Sequence, residues 1–259
     1  MSSSTPPPRL VAFDLDDTLA PSKAPISPRI ADLLIGLAER VEVAIISGAQ
    51  LGQFRTQVVG QLPPAPAETL AHVHIMPTCG TQYYRIAADG LTTMYAYPLT
   101  DDEKARAIDA VEREARRLGL WATETWGDAI EDRGSQITFS ALGQFAPLEA
   151  KVAWDPTGEK KNRLRDAVAP LLPDLEVRSG GSTSVDITHR GIDKAYGMNQ
   201  LVTETGIPLS DMLFVGDRLD EHGNDYPVLA MGVRCQAVTG WEDTADFLAR
   251  LIPTLPERD

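Results

Sequence analysis

The chain has few cysteines and few histidines, and these shortages exclude two classes of protein. Two cysteines and four histidines occur among its 259 residues. Two cysteines are too few for a disulfide framework, and no spacing of cysteine and histidine matches that of zinc ligands. We therefore expect neither a disulfide-stabilised secreted domain nor a zinc protein, and the low cysteine content favours a reducing compartment.

Basic residues are also scarce, because 24 lysines and arginines stand against 37 aspartates and glutamates, giving a formal net charge of −13. Neither a lysine cluster nor a basic amphipathic helix is present, so nucleic-acid and membrane partners are not expected. No uncharged apolar run approaches membrane-spanning length, and residues 1–8 lack the segments of a signal peptide. These absences predict a cytoplasmic protein in which an anionic substrate would need positive charge supplied locally.

The apolar residues that are present follow an α/β pattern. Leu10–Phe13 is an apolar run that ends directly in Asp14, which is typical of a buried parallel strand. Ser27 and Pro28 then begin a helix with one apolar stripe, and residues 41–46 supply a second strand. Strand, helix and strand with a short return predict a right-handed crossover, and hence a doubly wound, Rossmann-like parallel sheet.

A different pattern begins at about residue 84. Thr100 and Glu103 form a capping box ahead of a helical stripe that ends at Gly119. Further segments are predicted as a helix over residues 160–172 and as strands over residues 130–141, 175–178 and 183–187. Helices packed on one antiparallel sheet predict an α+β cap domain over residues 84–188.

After the cap the α/β pattern returns, with a helix near residues 194–205, strands over 212–215 and 233–238, and a last helix near 244–251. Residues 1–83 and 189–259 are therefore expected to form one discontinuous core domain.

Four groups of polar residues fall at predicted strand ends or helix starts, in the order Asp14/Asp16/Thr18, Ser47-Gly48, Lys194 and Asp217/Asn224/Asp225. Carboxyl ends of parallel strands meet at one crevice, so groups far apart in sequence are expected to converge there. Carboxylates gathered in this way repel one another unless a hard divalent cation lies among them. The pattern therefore predicts Mg²⁺ beside a nucleophilic aspartate.

Phosphoryl transfer needs such a set, because the attack of a carboxylate on a phosphate dianion is opposed by charge. Asp14 is the predicted nucleophile and forms an aspartyl phosphate, while Asp16 is the predicted general acid and base. Ser47 and the amide of Gly48 are expected to hold phosphoryl oxygens, and Lys194 to neutralise developing charge. The predicted metal ligands are Asp14, the backbone carbonyl of Asp16, Asp217 and Asp225; Thr18 and Asn224 are predicted to bind substrate.

These residues resemble the four motifs of the haloacid dehalogenase superfamily, which comprises aspartate-nucleophile phosphatases and phosphomutases. The matching segments are Asp-Leu-Asp-Asp-Thr at 14–18, Ser-Gly at 47–48, Gly-Ile-Asp-Lys at 191–194 and Gly-Asp at 216–217. An insert between the second and third motifs is similar to that of the subclass with an α/β cap, type IIB. Segments 180–186 and 223–226 resemble, more narrowly, the eukaryotic-type phosphomannomutases. Asp17 departs from that family, which usually has glycine there.

The resemblance implies Mg²⁺ as cofactor, a hexose phosphate as substrate and a possible homodimer formed through the cap. It also implies that cap arginines hold the distal phosphate of a hexose bisphosphate. Arg133 stands at one such position, but Gln144 and Lys151 stand where the other two arginines would be, which weakens bidentate phosphate binding. Ser184 and Asp186 match positions that contact the distal phosphate and the sugar.

Each of these cap residues also has an ordinary interpretation. Arg133 could pair with Glu131 or Asp132 on the cap sheet, and Lys151 could be a surface charge. Asp186 could simply face solvent in an alternating strand.

The leading hypothesis is a Mg²⁺-dependent phosphatase or phosphotransferase that acts on a small phosphorylated metabolite through an aspartyl phosphate. The alternative is a phosphomannomutase that interconverts mannose 1-phosphate and mannose 6-phosphate, in which a sugar hydroxyl replaces water as the acceptor. A phospho-receiver module is disfavoured, because receivers carry the acceptor on a later strand and lack a large insert. An inactive binding module with the same fold is the third possibility.

Overall fold

The computed structural model describes residues 6–87 and 90–258. These residues form two compact units. The first contains the described residues up to Ala96 and those from Asp193 onward, and the second runs from Tyr97 to Ile192.

The strands and helices are numbered in chain order. The strands are β1 (Leu10–Phe13), β2 (Glu42–Ile46), β3 (Val73–Met76), β4 (Gln82–Ala87), β5 (Gly90–Ala96), β6 (Ile130–Asp132), β7 (Gln136–Ser140), β8 (Leu175–Ser179), β9 (Ser184–His189), β10 (Met212–Gly216) and β11 (Arg234–Ala237). The α-helices are α1 (Pro28–Ala38), α2 (Leu51–Gln57), α3 (Ala67–Leu70), α4 (Asp101–Arg117), α5 (Leu148–Trp154), α6 (Glu159–Val168), α7 (Lys194–Thr205), α8 (Tyr226–Ala230) and α9 (Trp241–Leu251).

The first unit is built on a seven-stranded sheet in the order β11-β10-β1-β2-β3-β4-β5. The pairs from β11 through β3 are parallel, and β4 and β5 extend the sheet as antiparallel strands. Separate apolar cores cover the two faces: α1, α2 and α9 pack on one, and α7 and α8 pack on the other. The prediction of a doubly wound α/β core is thus confirmed.

Strand β1 shows why both faces are covered. Its alternate residues Val11 and Phe13 belong to one core, whereas Leu10 and Ala12 belong to the other. All four are completely buried, as expected for a central strand of a parallel sheet. The carboxyl end of β1 is therefore held in place from both sides.

Strands β4 and β5 lie in the large sheet, so the second unit begins later in the chain than the expected residue 84. Their antiparallel pairing and mixed polarity resemble the pattern of the insert rather than that of the parallel core. The second unit likewise ends at Ile192, after the expected residue 188.

The second unit contains a four-stranded antiparallel sheet in the order β6-β7-β9-β8, with α4 and α6 on its apolar face. Helix α4 begins as expected, since the hydroxyl of Thr100 accepts a hydrogen bond from the amide of Glu103, whose carboxylate accepts from the Thr100 amide. Gly119 follows the helix in the left-handed conformation, at φ 69°. An inserted α+β unit was the prediction, and it is confirmed.

Several elements differ from the prediction. The segment predicted as one strand over residues 130–141 is two strands joined by a turn, and helix α6 ends before the predicted residue 172. Strand β3 and the short helices α2, α3 and α5 were not predicted. Within the described part of the chain, no helix has both the length and the apolar character that crossing a bilayer requires.

Candidate active site

The parallel register brings three predicted site residues to neighbouring strand ends. Phe13, the last residue of β1, lies opposite Ile45 of β2 and Val215 of β10. Asp14 follows β1, Ser47 follows β2 and Asp217 follows β10, all at the carboxyl edge of the sheet. Helix α7 places Lys194 at its first position, because Asp193 caps the helix by accepting a hydrogen bond from the Tyr196 amide at 3.0 Å.

Lys194 lies between two carboxylates. Its Nζ is 2.7 Å from Oδ1 of Asp14 and 2.5 Å from Oδ1 of Asp225. All three side chains are buried. Burial raises the pKa of Asp14 to about 7, with the charge of Asp225 acting in the same direction and Lys194 opposing it. Burial disfavours the Lys194 cation as well, but the two carboxylates outweigh that effect and raise its pKa above the ordinary value.

A third carboxylate completes an acidic cluster. One carboxylate oxygen from each of Asp14, Asp217 and Asp225 can be chosen so that all lie within 4.8 Å of one another. The Thr18 hydroxyl donates to Oδ1 of Asp217 at 3.1 Å, and burial followed by the charge of Asp225 raises the pKa of Asp217. One lysine cannot neutralise three carboxylates. The oxygen donors and their excess negative charge therefore fit a hard divalent cation such as Mg²⁺.

The Asp16 carboxylate has a different environment. Its Oδ1 accepts a hydrogen bond from the Lys23 amide at 2.7 Å, and burial raises the pKa of Asp16 although this hydrogen bond opposes the change. Its side chain is not part of the three-carboxylate cluster. A raised pKa favours the protonated form of a carboxyl group, which is the form that a general acid requires.

Asp17 has a structural role that the sequence did not reveal. Its backbone has φ 63°, in the left-handed region that favours glycine but that aspartate tolerates. The Asp17 amide donates to the Ala20 carbonyl at 2.7 Å, and its Oδ1 accepts from the Ser22 amide at 3.1 Å. Asp17 therefore closes the loop that follows Asp14.

Two further residues support the cluster and were not predicted to do so. A Cβ atom at Gly216 would lie 2.4 Å from Oδ2 of Asp225, so only glycine leaves space for that carboxylate. The Thr244 hydroxyl donates to the carbonyl of Thr18 at 2.7 Å. The Gly216-Asp217 pair in the sequence could have indicated that glycine is required beside Asp225. Thr244 has no such signal, because it resembles any polar residue at the start of a helix.

The remaining predicted residues of the first unit have fewer described contacts. Ser47 is buried, and its Oγ accepts a hydrogen bond from the Ala49 amide at 3.1 Å. A Cβ atom at Gly48 would meet nothing within 4 Å, so packing alone does not require glycine there. Asn224 is exposed in the loop before α8, directly before the buried Asp225.

In the second unit, the sheet brings three predicted residues together. Arg133 pairs with Glu131 at 2.7 Å, and these side chains are only 10% and 7% exposed. Oδ1 of Asp186 accepts a hydrogen bond from the Thr138 hydroxyl at 2.8 Å, and burial raises the pKa of Asp186. The Ser184 hydroxyl lies 3.3 Å from that of Ser140 on the adjacent strand β7.

Gln144 and Lys151 lie outside this sheet. Gln144 follows Gly143 in the loop after β7, and its backbone amide donates a hydrogen bond to the Asp128 carbonyl at 3.2 Å. Lys151 belongs to helix α5. The two departures from the family pattern are thus on the loop and helix that follow the strand, not on the sheet itself.

Comparison with known proteins identifies a family. The family model described as eukaryotic phosphomannomutase matches residues 30–253. A phosphomannomutase from Encephalitozoon cuniculi is 23% identical over 224 residues, covering 83% of this chain and 82% of the relative. A phosphomannomutase from Spinacia oleracea is 24% identical over 259 residues, covering 96% of this chain and 98% of the relative.

The fold is shared with solved structures of lower sequence identity. The C-terminal domain of C. albicans trehalose-6-phosphate phosphatase superposes with a TM-score of 0.65 at 14% identity, and the match covers 96% of this chain and 94% of that one. At this identity the likeness shows a common fold only.

Proposed function

The chain belongs to the eukaryotic phosphomannomutase family, and on that premise we propose that it transfers the phosphoryl group of a hexose phosphate through an aspartyl phosphate on Asp14. The single observation that supports this most strongly is the placement of Lys194 between Asp14 and Asp225, beside a third carboxylate. We further propose Mg²⁺ as the cation, held by Asp14, Asp217 and Asp225 with the Asp16 carbonyl. When bound, this cation would reduce the negative charge that opposes attack on a phosphate.

The first step forms the covalent intermediate. An oxygen of the Asp14 carboxylate attacks phosphorus, and the bond between phosphorus and the sugar oxygen breaks. Asp16, in its protonated form, gives its proton to the departing sugar oxygen. Lys194 offsets charge as the phosphoryl group approaches, and Ser47 with the Gly48 amide donates hydrogen bonds to phosphoryl oxygens.

The second step regenerates Asp14. Asp16, now a carboxylate, takes a proton from the acceptor hydroxyl, whose oxygen attacks phosphorus as the bond to Asp14 breaks. If water is the acceptor, the products are inorganic phosphate and the free sugar. If a hydroxyl of a bound hexose phosphate is the acceptor, the result is isomerisation, and membership of the phosphomannomutase family favours mannose 1-phosphate and mannose 6-phosphate as the pair.

The second unit is proposed to contribute to the selection of the substrate. Thr18 and Asn224 in the first unit, and Arg133, Gln144, Lys151, Ser184 and Asp186 in the second, are the proposed substrate-binding residues. A homodimer through the second unit and a cytoplasmic location complete the proposal. The exposed apolar side chains of Phe145, Leu148 and Val152 would supply surface for such a dimer.

The proposed function is tested by incubating the purified protein with mannose 1-phosphate or glucose 1-phosphate while inorganic phosphate and the hexose 6-phosphate are measured together. Each reaction is run with and without Mg²⁺ and with and without a hexose 1,6-bisphosphate. We expect turnover that depends on Mg²⁺ and that falls about a thousandfold or more in Asp14→Asn.

The matched control is Asp17→Asn, because its amide oxygen can still accept from the Ser22 amide and the loop should close normally. We expect it to retain turnover. Full activity in Asp14→Asn, or turnover indifferent to removal of divalent cations, would contradict the proposed function.

A further inference from the structure

A short turn follows β3 in the first unit, and its backbone is unusual. It consists of Thr78–Gly80, and we call it the β3–β4 turn. All three residues have a positive φ, which is 47° at Thr78, 56° at Cys79 and 85° at Gly80. Neither threonine nor cysteine favours such a backbone, so contacts with the surrounding structure must maintain it.

One side of the β3–β4 turn binds the backbone around Ser47. The Cys79 amide donates a hydrogen bond to the Ser47 carbonyl at 2.9 Å, and the Thr78 amide donates to the Ala49 carbonyl at 3.1 Å. The Ala49 amide in turn donates to Oγ of Ser47 at 3.1 Å. The turn therefore fixes the backbone that carries the Ser47 side chain and the Gly48 amide.

The other side of the β3–β4 turn packs against α7 through two glycines. A Cβ atom at Gly80 would lie 2.7 Å from Cα of Gly197. A Cβ atom at Gly197 would lie 2.9 Å from Cγ2 of Ile46 and 3.0 Å from the carbonyl oxygen of Cys79. These distances are too short for a side chain, so the turn and the helix can approach this closely only with glycine at both positions.

The contact at Gly197 lies close to Lys194 on the helix. Gly197 is three residues after Lys194 in α7, and residues three apart are neighbours on one side of an α-helix. The Nζ atom of Lys194 is 2.7 Å from Oδ1 of Asp14. The β3–β4 turn therefore contacts both the backbone of Ser47 and the helical turn that carries Lys194.

Hydrogen bonds also hold the shape of the turn itself. The Thr81 hydroxyl donates to the Thr78 carbonyl at 2.9 Å and lies 2.6 Å from the Thr78 hydroxyl. The Tyr95 hydroxyl of β5 donates to the Gly80 carbonyl at 2.9 Å. Thr78 and Thr81 are buried, so the loss of one of these bonds would leave a buried polar group unsatisfied.

We propose that the β3–β4 turn is a positioning element for phosphoryl transfer, with Gly80 and Gly197 as positioning residues. The turn sets the spacing between the Ser47 backbone and the start of α7, and hence the place at which the Lys194 ammonium group meets the phosphoryl group. This inference rests on the proposed function, which assigns Ser47 and Lys194 to the same phosphoryl group. The two glycines act through those residues and do not contact the substrate.

Gly197→Ala tests the contact between the turn and the helix, because it adds one methyl group where the space is shortest. We expect α7 to move away from the turn and kcat for the hexose phosphate to fall about tenfold, with KM little changed. Small displacements of a positioned group reduce the rate of the chemical step more than they reduce binding of the substrate.

Gly36→Ala is the matched control, because it makes the same replacement inside α1 of the same unit. A Cβ atom at Gly36 would lie 4.0 Å from Cδ1 of Ile252, which is an ordinary van der Waals contact. Alanine favours the helical conformation in both variants. We expect kcat to be unchanged in Gly36→Ala, so a loss confined to Gly197→Ala reflects the contact with the turn.

A second pair of variants tests the turn without altering α7, and it decides the question if Gly197→Ala does not fold. Thr81→Val removes the hydroxyl that donates to Thr78, whereas Thr81→Ser keeps a hydroxyl. We expect kcat to fall about fivefold in Thr81→Val and to be retained in Thr81→Ser. Urea unfolding separates the two roles, because a merely structural turn would lower stability without lowering kcat of the folded protein.

Crystal structures of the wild type, Gly197→Ala and Gly36→Ala give a measurement that does not depend on turnover. We expect the start of α7 to lie farther from Ser47 in Gly197→Ala and to be unmoved in Gly36→Ala. An unmoved helix in Gly197→Ala, wild-type kcat in Gly197→Ala or Thr81→Val, or equal losses in Thr81→Val and Thr81→Ser would overturn the inference. A wild type without turnover would refute the proposed function alone, and the crystal structures would still decide whether the turn positions α7.

Discussion

At the residue scale, the ion cluster around Lys194 is notable because it is buried. A buried charge is stable only when partners compensate for its lost hydration. Removing one partner leaves the other charge buried without compensation, at the full free-energy cost of desolvation. Asp14 and Asp225 share one ammonium group, and a third carboxylate lies close by. This excess of negative charge favours binding of a cation. A bound cation in turn favours binding of a phosphate, because it offsets the negative charge of the carboxylates.

A second buried titratable residue, His74, lies away from the cluster and predicts a pH effect on stability. Its Nε2 is 2.8 Å from Oε2 of Glu42, and its Nδ1 is 2.7 Å from the Tyr83 hydroxyl. A neutral imidazole meets both partners by donating to Glu42 and accepting from Tyr83. Burial lowers the pKa of His74, although Glu42 acts in the opposite direction.

Because the folded pKa of His74 lies below its ordinary value of 6.5, the unfolded chain takes up a proton first as the pH falls. The stabilisation that neutral His74 contributes is therefore fully present above pH 6.5. It decreases as the pH falls from 6.5 toward the folded pKa, and the free energy of unfolding then changes by at most about 1.4 kcal/mol per pH unit. Asp14, whose folded pKa is raised to about 7, acts in the opposite direction over the same range in both proteins, so the effect of His74 is the difference between them. In urea unfolding between about pH 7.5 and pH 5.5, the free energy of unfolding of the wild type should decrease relative to that of His74→Gln as the pH falls.

His72→Gln is the control for that experiment, because His72 also contacts Glu42 but is partly exposed. It should retain most of the wild-type dependence on pH. An equal slope in the wild type and in His74→Gln would show that His74 does not titrate as argued.

The residues of the site were predictable to different degrees. Asp14, Lys194 and Asp217 follow from their positions at strand ends and a helix start, because parallel strands gather their carboxyl ends. Thr244 and Thr18 are distant in sequence and are joined by a single hydrogen bond. The local pattern of polar and apolar residues does not predict such a contact. The pairing of Arg133 with Glu131 was foreseen only as one of two alternatives.

At the scale of elements, the start of α7 determines where the Lys194 side chain begins. Asp193 caps this helix through the Tyr196 amide. Asp193→Ala should reduce the free energy of unfolding by about 0.5–2 kcal/mol through loss of the cap. It should also lower kcat, because fraying of the first turn would displace the ammonium group of Lys194.

Thr100→Ala is the matched control for this variant, since it removes the cap of α4 in the other unit. We expect a similar loss of stability without a comparable fall in kcat, as measured by urea unfolding and steady-state kinetics on the same preparations. Equal effects on kcat in the two variants would mean that the α7 cap does not position Lys194.

Long elements with caps were predictable, and short ones were not. Helices α1, α4 and α7 carry capping residues and enough length for a sequence signal, and α7 spans the residues expected. Helices α2, α3 and α5 have seven residues or fewer. So short a segment shows little periodicity, and its helical form depends on packing contacts that the sequence does not display.

At the scale of the whole molecule, a discontinuous core explains how distant motifs can act together. The chain completes the first strands of the large sheet, forms the second unit and returns to add α7, β10 and β11. The motif order and the insert were readable from the sequence. The placement of β4 and β5 was not, because an antiparallel hairpin can extend either sheet, and the choice depends on which edge is available.

The central claim is that Asp14 accepts the phosphoryl group, and the most direct test is to trap and locate the covalent intermediate. The protein is mixed with Mg²⁺ and a hexose phosphate, quenched in acid within the first turnover, digested and analysed by mass spectrometry. We predict an alkali-labile phosphoryl group on the peptide that contains Asp14, and none in Asp14→Asn. A phosphoryl group on Ser47 or on any other residue, with Asp14 unmodified, would contradict the claim.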